Sequence, residues 1–307
     1  RFTAGVAYLN GKKPSVVFVR GWYGRTVAAA WDFNKGKLQS RWVFDSKDAE
    51  NPFSGQANHQ LSIGDLDADG KDEICVGAMV IDDDGSGLYT TGLRHGDALH
   101  ISDMDPDRPG LEVFGIHENE GRTLKLGTPG VALFDAATGN ILFEKGKSID
   151  VGRGVAADID PTQPGFENWG GPGGLRDIHG NTISRNTPSS TNFLVWWDGD
   201  LTRELLDQNH IDKWNWQTQT TENLLTANGS VANNGTKATP CLSADLFGDW
   251  REEVIWRTPE SNELRIYTTT HPTAYRMPTL MQDAMYRLSI VWQNTAYNQP
   301  PYAGALC

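Results

Sequence analysis

Cysteine is scarce in this chain of 307 residues, occurring only at Cys75, Cys241 and Cys307. An odd, small number is not a disulfide framework. One bridge is compatible with it, but three free and mostly buried thiols is the plainer expectation. No stretch approaches the ~20 consecutive apolar residues of a membrane helix, so no such span, and no membrane partner, is expected. Positive charge is also short: 27 Lys and Arg against 39 Asp and Glu leave a net charge of -12. That balance argues against a nucleic-acid partner, whose phosphates it would repel. Helical periodicity is almost missing, and only Pro278 to Met285 is expected to form a turn of helix. The sequence opens Arg-Phe-Thr-Ala-Gly, without initiator methionine or signal peptide, as expected of a mature or truncated polypeptide.

Glycine and tryptophan are abundant, at 33 and 11 residues. The length is ample for a large core, and all-β architectures can run this long as one domain, here 1–307. The acidic residues are not spread evenly. They gather in four loops of common spacing: Asp65, Asp67, Asp69 and Glu73; Asp103, Asp105, Asp107 and Glu112; Asp158, Asp160 and Glu167; and a degenerate fourth with Asp245, Asp249 and Glu253. The span from first to last acid is 8, 9, 9 and 8 residues. Alternating carboxylates, a glycine for the bend and a late glutamate wrap oxygens around one hard cation. Ca²⁺, which takes six to eight oxygens in irregular geometry, is the expected cofactor, as several ions. One such loop alone reads equally well as a solvated Asp-Gly turn. Four with shared spacing favour the metal.

Strand-like runs follow these loops, as in Glu73 to Val80 and Glu112 to Ile116, where an EF-hand would have helices. Asp-Gly turns at Trp31 to Gly36, Phe134 to Gly139 and Trp197 to Gly199 read as hairpins. The loops start 38, 55 and 87 residues apart. Several short strands per ~40–50 residues suggest β-propeller blades; a sandwich gives no reason for the regular repeat. The expected blades are 1–50, 55–92, 93–147, 148–205 and 233–270. Residues 206–232 are expected to hold irregular strands with an insertion, and 271–307 an aromatic closing segment. The Gly- and Asn-rich stretch 168–188 reads as a long surface loop, a lip over a site. This gives five or six blades and no internal boundary.

A basic residue precedes each loop: His59, His95, Arg153 and Lys237. Each alone reads as a structural histidine or a surface charge. At equivalent repeat positions they predict a ring of basic side chains at one end of the propeller axis, braced by the acidic loops. Lys and Arg suit carboxylates, and aromatic faces suit sugar rings. The implied partner is an acidic, hydroxyl-rich molecule.

Four segments, HGDALHISDMDPDRPGLEVF, GRGVAADIDPTQPGFE, NNGTKATPCLSADLFGDWREEVIW and MQDAMYRLSIVWQNTAYNQPP, closely resemble the bacterial rhamnogalacturonan lyases of polysaccharide lyase family 11. The resemblance covers essentially the whole chain. It implies an eight-bladed, calcium-rich propeller that cuts the rhamnose–galacturonate backbone of pectin by β-elimination in a central cleft. By residue, it implies that Arg153 and Lys237 are the essential basic pair. It makes His59 and His95 cleft histidines, and Asn234, Gly235, Thr236 and Tyr297 substrate contacts. The expected roles are carboxylate neutralisation by Arg153 and proton abstraction by Lys237, with either histidine as the alternative base. The substrate implies secretion. The family's catalytic domain is longer, so a separate N-terminal segment completing the propeller is an expected partner. The competing expectation is a non-catalytic calcium propeller that binds glycans or cell-surface partners. A hydrolytic glycosidase, which needs paired carboxylates in the cleft, ranks last.

Overall fold

A computed structural model of the chain describes residues 2–118, 127–295, 297 and 299–304. Six antiparallel sheets follow one another, each a simple meander. The first strands are Phe2–Ala7, Ser62–Gly64, Ala98–Ser102, Val155–Ala157, Phe193–Val195 and Leu242–Ala244. First strands of neighbouring blades meet, as do those of blades one and two, two and three, and three and four. This is a six-bladed β-propeller arrangement, within the all-β expectation of five to six blades. No described helix is long and apolar enough to cross a membrane. Cys75 and Cys241 are free thiols, and Cys307 lies outside the described residues.

Burial explains the strand sequences. Glu112–Ile116 is buried at all five positions, because a blade inside the array is covered on both faces. The first blade is different. Thr3, Gly5 and Ala7 point inwards, while Phe2, Phe18 and Val43 of the opposite face are exposed. In the sixth blade Leu264 and Ile266 are likewise exposed. The two end blades therefore each show an uncovered apolar face.

Two boundaries differ from expectation. The fourth blade is 155–184 and the fifth 193–226, not one blade over 148–205 followed by irregular strands. The stretch expected to be a surface loop holds the fourth blade's outer strands, Glu167–Trp169, Leu175–Arg176 and Thr182–Ser184. Their sequence is not apolar because a side chain staples them. Fully buried Arg176 donates to Asn168 Oδ1 (2.8 Å) and to the carbonyls of Gly170 (2.9 Å) and Pro172 (2.7 Å). The polar 206–232 region is the outer half of a regular blade. Thr220–Thr226 is its partly exposed outer strand, while His210–Asn215 is covered on both faces, Ile211 packing with Val254 and Trp256 of the sixth blade and Trp214 with Ile178 of the fourth.

The closing segment is more ordered than expected. Helix α1 (Ala284–Trp292) is capped by Asp283, whose carboxylate accepts from Tyr286 N at 2.6 Å. It packs on the first strands of blades one, two and six. The chain then threads the axis. Gln299 Oε1 accepts from Leu61 N (3.0 Å), Ala303 O from Ser102 Oγ (2.7 Å), and Tyr302 Oη donates to Ala156 O (2.8 Å). Arg203 donates to Pro301 O at 3.3 Å. One short segment thus holds four blades at the hub.

Two histidines near the axis are held neutral. His100 stacks on Phe114 and donates from Nε2 to Gly154 O (3.1 Å); His117 donates from Nδ1 to Arg94 O (3.0 Å). Burial pushes both down to about 4. The unfolded chain accepts protons near pH 6.5 that the folded chain refuses, so stability is complete above pH 6.5 and is lost as pH falls towards 4. Each shift corresponds to roughly 3 kcal/mol when fully expressed. A flatter pH slope of the urea midpoint between pH 6.5 and 4 is expected for His100→Gln. An unchanged slope would show that this site does not drive the acid lability.

Candidate functional site

The six first strands have two ends, and the site is built at one of them. His59 lies just before Ser62–Gly64, His95 before Ala98–Ser102, Arg153 before Val155–Ala157 and Lys237 before Leu242–Ala244. The acidic loops begin directly after the same strands, at Asp65, Asp103, Asp158 and Asp245. Cleft and loops therefore occupy opposite ends of each strand. The loops do not brace the cleft side chains, as expected from the sequence; they anchor the far ends of the strands that carry them.

At the cleft end the predicted residues meet. The rings of His59 and His95 are 4.8 Å apart, edge to face. His59 packs on Tyr297 at 4.4 Å, and the Lys237 ammonium stands 3.7 Å over the centre of the same Tyr297 ring. Arg153 donates to the carbonyl and hydroxyl of Thr236, next to Lys237 in the chain, and to Asn192 Oδ1. Asn234, Gly235 and Thr236 form an exposed lip. Asn234 and Ala238 flank its short 3₁₀ turn, both at positive φ (61° and 53°), a conformation costly for non-glycine residues and held by the surrounding fold.

Several cleft residues escaped the sequence reading. Asp97 Oδ1 lies 3.3 Å from His59 Nε2, and Glu118 Oε2 lies 3.7 Å from His95 Nε2. Burial raises the Asp97 pKa, while Lys237, His95 and Arg153 lower it; the cleft cations converge on this carboxylate. His59, His95 and Asp97 bring their ligand atoms within 4.8 Å of one another, close enough to share a metal ion. Tyr23, 58% exposed, places its hydroxyl 3.2 Å from His59 Nε2 and its ring 4.2 Å from His95. Asn192, buried, is itself held by donation to Asp207 Oδ1 at 2.8 Å. The signal for Asp97 was present as His-Gly-Asp. A Cβ on Gly96 would lie 1.8 Å from Ile116 O, so only glycine allows that approach. Gly170 backs Arg153 in the same way: a Cβ there would lie 2.3 Å from Arg153 O.

At the other end, the acidic loops share one construction. The late glutamate accepts two backbone N–H groups: Glu73 from Leu66 and Asp67, Glu112 from Met104 and Asp105, Glu167 from Ile159 and Asp160, Glu253 from Leu246 and Phe247. A fifth loop does the same. Glu204 accepts from Trp197 N (2.6 Å) and Asp198 N (3.2 Å), where the sequence suggested only a hairpin turn. It was missed because Trp196 stands at the first acidic position.

The loops differ in what remains for a cation. Asp65, Asp67 and Glu73 converge, as do Asp69, Glu73 and Asp83. Glu73 Oε1, Asp158 Oδ1 and Glu167 Oε1 are buried without a hydrogen-bond partner. Burial pushes Glu73 and Glu167 up to about 8 and Asp158 to about 6. Among the described residues neither Asp103, Asp105, Asp107 and Glu112 nor Asp158, Asp160 and Glu167 form such a convergent set, and in the second loop Arg108 takes Glu112 (3.4 Å) and Asp135 (2.8 Å). Asp245 spends both oxygens on Gly248, Asp249, Trp250 and Leu280 amides and the Thr279 hydroxyl. Asp249 pairs with Arg251. That loop is closed by hydrogen bonds rather than opened to an ion.

Fold and site together define a propeller unit with a cationic, histidine-lined cleft at one end of its axis. The sequence profile of the C-terminal domain of rhamnogalacturonan lyase family 11 matches residues 1–306. The chain belongs to rhamnogalacturonan lyase family 11. It is 57% identical to the rhamnogalacturonan endolyase YesW of Bacillus subtilis, over 98% of this chain and 48% of that protein. It is 52% identical to the exolyase YesX of the same organism, over 98% of this chain and 51% of that one. The crystal structure of a Bacillus licheniformis rhamnogalacturonan lyase superposes with a TM-score of 0.93 at 57% identity, covering 99% of this chain and 51% of that one. The chain thus spans about half the length of the curated relatives it matches.

Proposed function

We propose that this chain carries the catalytic cleft of a lyase that cleaves the rhamnogalacturonan backbone at galacturonate by β-elimination. The observation behind this reading is the meeting of Lys237, Arg153, His59, His95 and Asp97 at one end of the axis. The names of the relatives support the substrate class. In the reaction the C5 proton leaves and the C4 oxygen is expelled. The C5 proton is too weakly acidic while the adjacent carboxylate keeps its full charge. Arg153, held rigid by Thr236 and Asn192, binds that carboxylate and spreads its charge as the enolate develops. Lys237, entering the step as the neutral amine, takes the proton and becomes the ammonium, placed against the Tyr297 ring next to the Arg153-bonded Thr236. Tyr23 and Tyr297 offer flat faces to neighbouring sugars. The His59, His95 and Asp97 donor set fits a divalent cation, which would supply further neutralisation of the uronate when bound.

Calcium in the loops is part of this proposal. The fit rests on the partnerless buried oxygens of Glu73, Asp158 and Glu167, which a hard cation satisfies. The uncovered faces of the first and sixth blades, with Phe18, Val43, Leu264 and Ile266, suit further blades supplied by an N-terminal segment. Eight blades in all, and secretion towards plant cell-wall pectin, complete the reading.

The test is incubation with rhamnogalacturonan, with calcium and with chelator, following ultraviolet absorbance. An unsaturated, absorbing product supports the lyase. Binding without product points instead to a glycan-binding propeller. Asn192→Ala should lower kcat about 10-fold or more, because Arg153 loses the partner that Asp207 holds in place and a small misplacement is costly. KM should change less. Normal kcat in this variant would remove Asn192 from the positioning of Arg153.

A further inference from the structure

We propose that the acidic loop of the fifth blade is a cation site filled by the chain itself, with the Lys213 ammonium in the place of a metal ion. Lys213 Nζ lies 2.9 Å from Asp198 Oδ2, 2.8 Å from Asp200 Oδ2 and 2.5 Å from Glu204 Oε1. An ammonium has three donors, and here each has its own carboxylate. The same three acids bring their ligand atoms within 4.8 Å of one another, as Asp65, Asp67 and Glu73 of the first loop do.

Strand register shows that this is a substitution within a repeat. Leu205 pairs with Asp212, so one residue further on Glu204 faces Lys213 across the sheet. In the third blade the facing pair is Glu112 and Asp135. Extending the pairings Ile74↔Ile81 and Asn168↔Arg176 by one residue sets Glu73 opposite Asp82 and Glu167 opposite Asp177. In the sixth blade Val254↔Tyr267 sets Glu253 opposite Thr268, whose hydroxyl bonds it at 3.1 Å. The facing residue is thus Asp, Asp, Asp, Lys and Thr from the second blade to the sixth. Only in the fifth does it bring positive charge. There the first loop acid is also gone, replaced by Trp196. One carboxylate lost and one cation gained turn a divalent site into a closed ion-pair cluster.

Lys71 is a useful contrast. It pairs with Asp69 (2.8 Å) and Asp83 (3.0 Å) at the outside of the first loop, but Glu73 Oε1 stays without a partner. Lys213 reaches the innermost glutamate and Lys71 does not. This inference rests on the calcium reading of the other loops only for its comparison; the contacts of Lys213 stand without it.

The experiment is Lys213→Met in the full chain, dialysed against calcium and assayed for bound metal. Bound calcium should rise by one ion per chain relative to the unsubstituted protein. Terbium luminescence excited through tryptophan should gain a new component, since Trp197 and Trp214 adjoin the site. Asp200→Asn in the same background should abolish the added ion. A folded Lys213→Met protein with no added ion overturns the proposal. Acetylation of Lys213 in the unsubstituted protein, read by mass spectrometry, covers the case in which the variant fails to fold. Labelling should be the same with calcium and with chelator. A rise on adding calcium would mean that metal displaces the ammonium, and would also overturn it.

Discussion

Lys237→Ala is expected to lower turnover of rhamnogalacturonan by about 10²–10⁴-fold, the usual worth of a general base, while binding of the polymer persists. The expectation follows from where the amine sits. It stands on the Tyr297 ring beside Thr236, to which Arg153 is bonded, so one short loop carries the base and holds the carboxylate clamp. Lys237→Arg is the sharper variant. It keeps a cation over the ring, but a guanidinium does not give up its proton, so it should be as inactive as alanine. If activity survived in arginine and not in alanine, the charge would be what matters, and Lys237 would be a binding residue. Near-normal turnover in both would leave His59 or His95 as the base. Equilibrium binding of the polymer, measured beside kcat, separates these outcomes.

Chelation of calcium should lower the unfolding midpoint steeply. A site filled at a hundredfold over its dissociation constant adds about 2.7 kcal/mol. With roughly 2–4 °C per kcal/mol for chains of this order, the first and third loops together correspond to a fall on the order of 10–20 °C. The effect should also depend on pH, and its sign is fixed. Burial lifts Glu73 and Glu167 to about 8, well above their unfolded value near 4.3. Without a cation, the folded chain keeps protons that the unfolded chain releases, so stability is lost as pH rises from about 4.5 towards 8. A bound cation uses the ionised carboxylates and removes that loss. The gap between calcium and chelator should therefore be widest near pH 8 and narrow near pH 5. Calorimetry at both pH values checks this. A midpoint indifferent to chelator would refute calcium in these loops.

Much of the architecture could be read before the structure, because the acidic loops mark the ends of first strands at a fixed offset. Through that offset His59, His95, Arg153 and Lys237 could be placed at one end of the axis without any coordinates. The reading failed where the marker failed. With Trp196 in place of an aspartate and Lys213 filling the loop, the fifth blade carried no recognisable signature, and its boundary with the fourth was lost. The fourth blade's outer strands were hidden for another reason. Arg176 holds them through carbonyls of glycine and proline, which leaves no apolar periodicity to find. Asp97 and Asn192 act by tertiary contact, so nothing in their immediate neighbours announces them. The far-end position of the loops was misjudged although chain order contained it: a residue just before a strand and a loop just after it lie at opposite ends, whichever way the strand runs.

The segment at the hub has a consequence for how the molecule is made. Gln299, Tyr302 and Ala303 bond blades whose first strands lie as much as 238 residues earlier. During synthesis the blades emerge before the pin that locks them. Each meander closes through neighbours in sequence and forms quickly, but the ring stays unfastened until its axle has been translated. A ribosome stalled before residue 299 would hold a string of formed blades with open edges, the state in which such a chain is most exposed to aggregation.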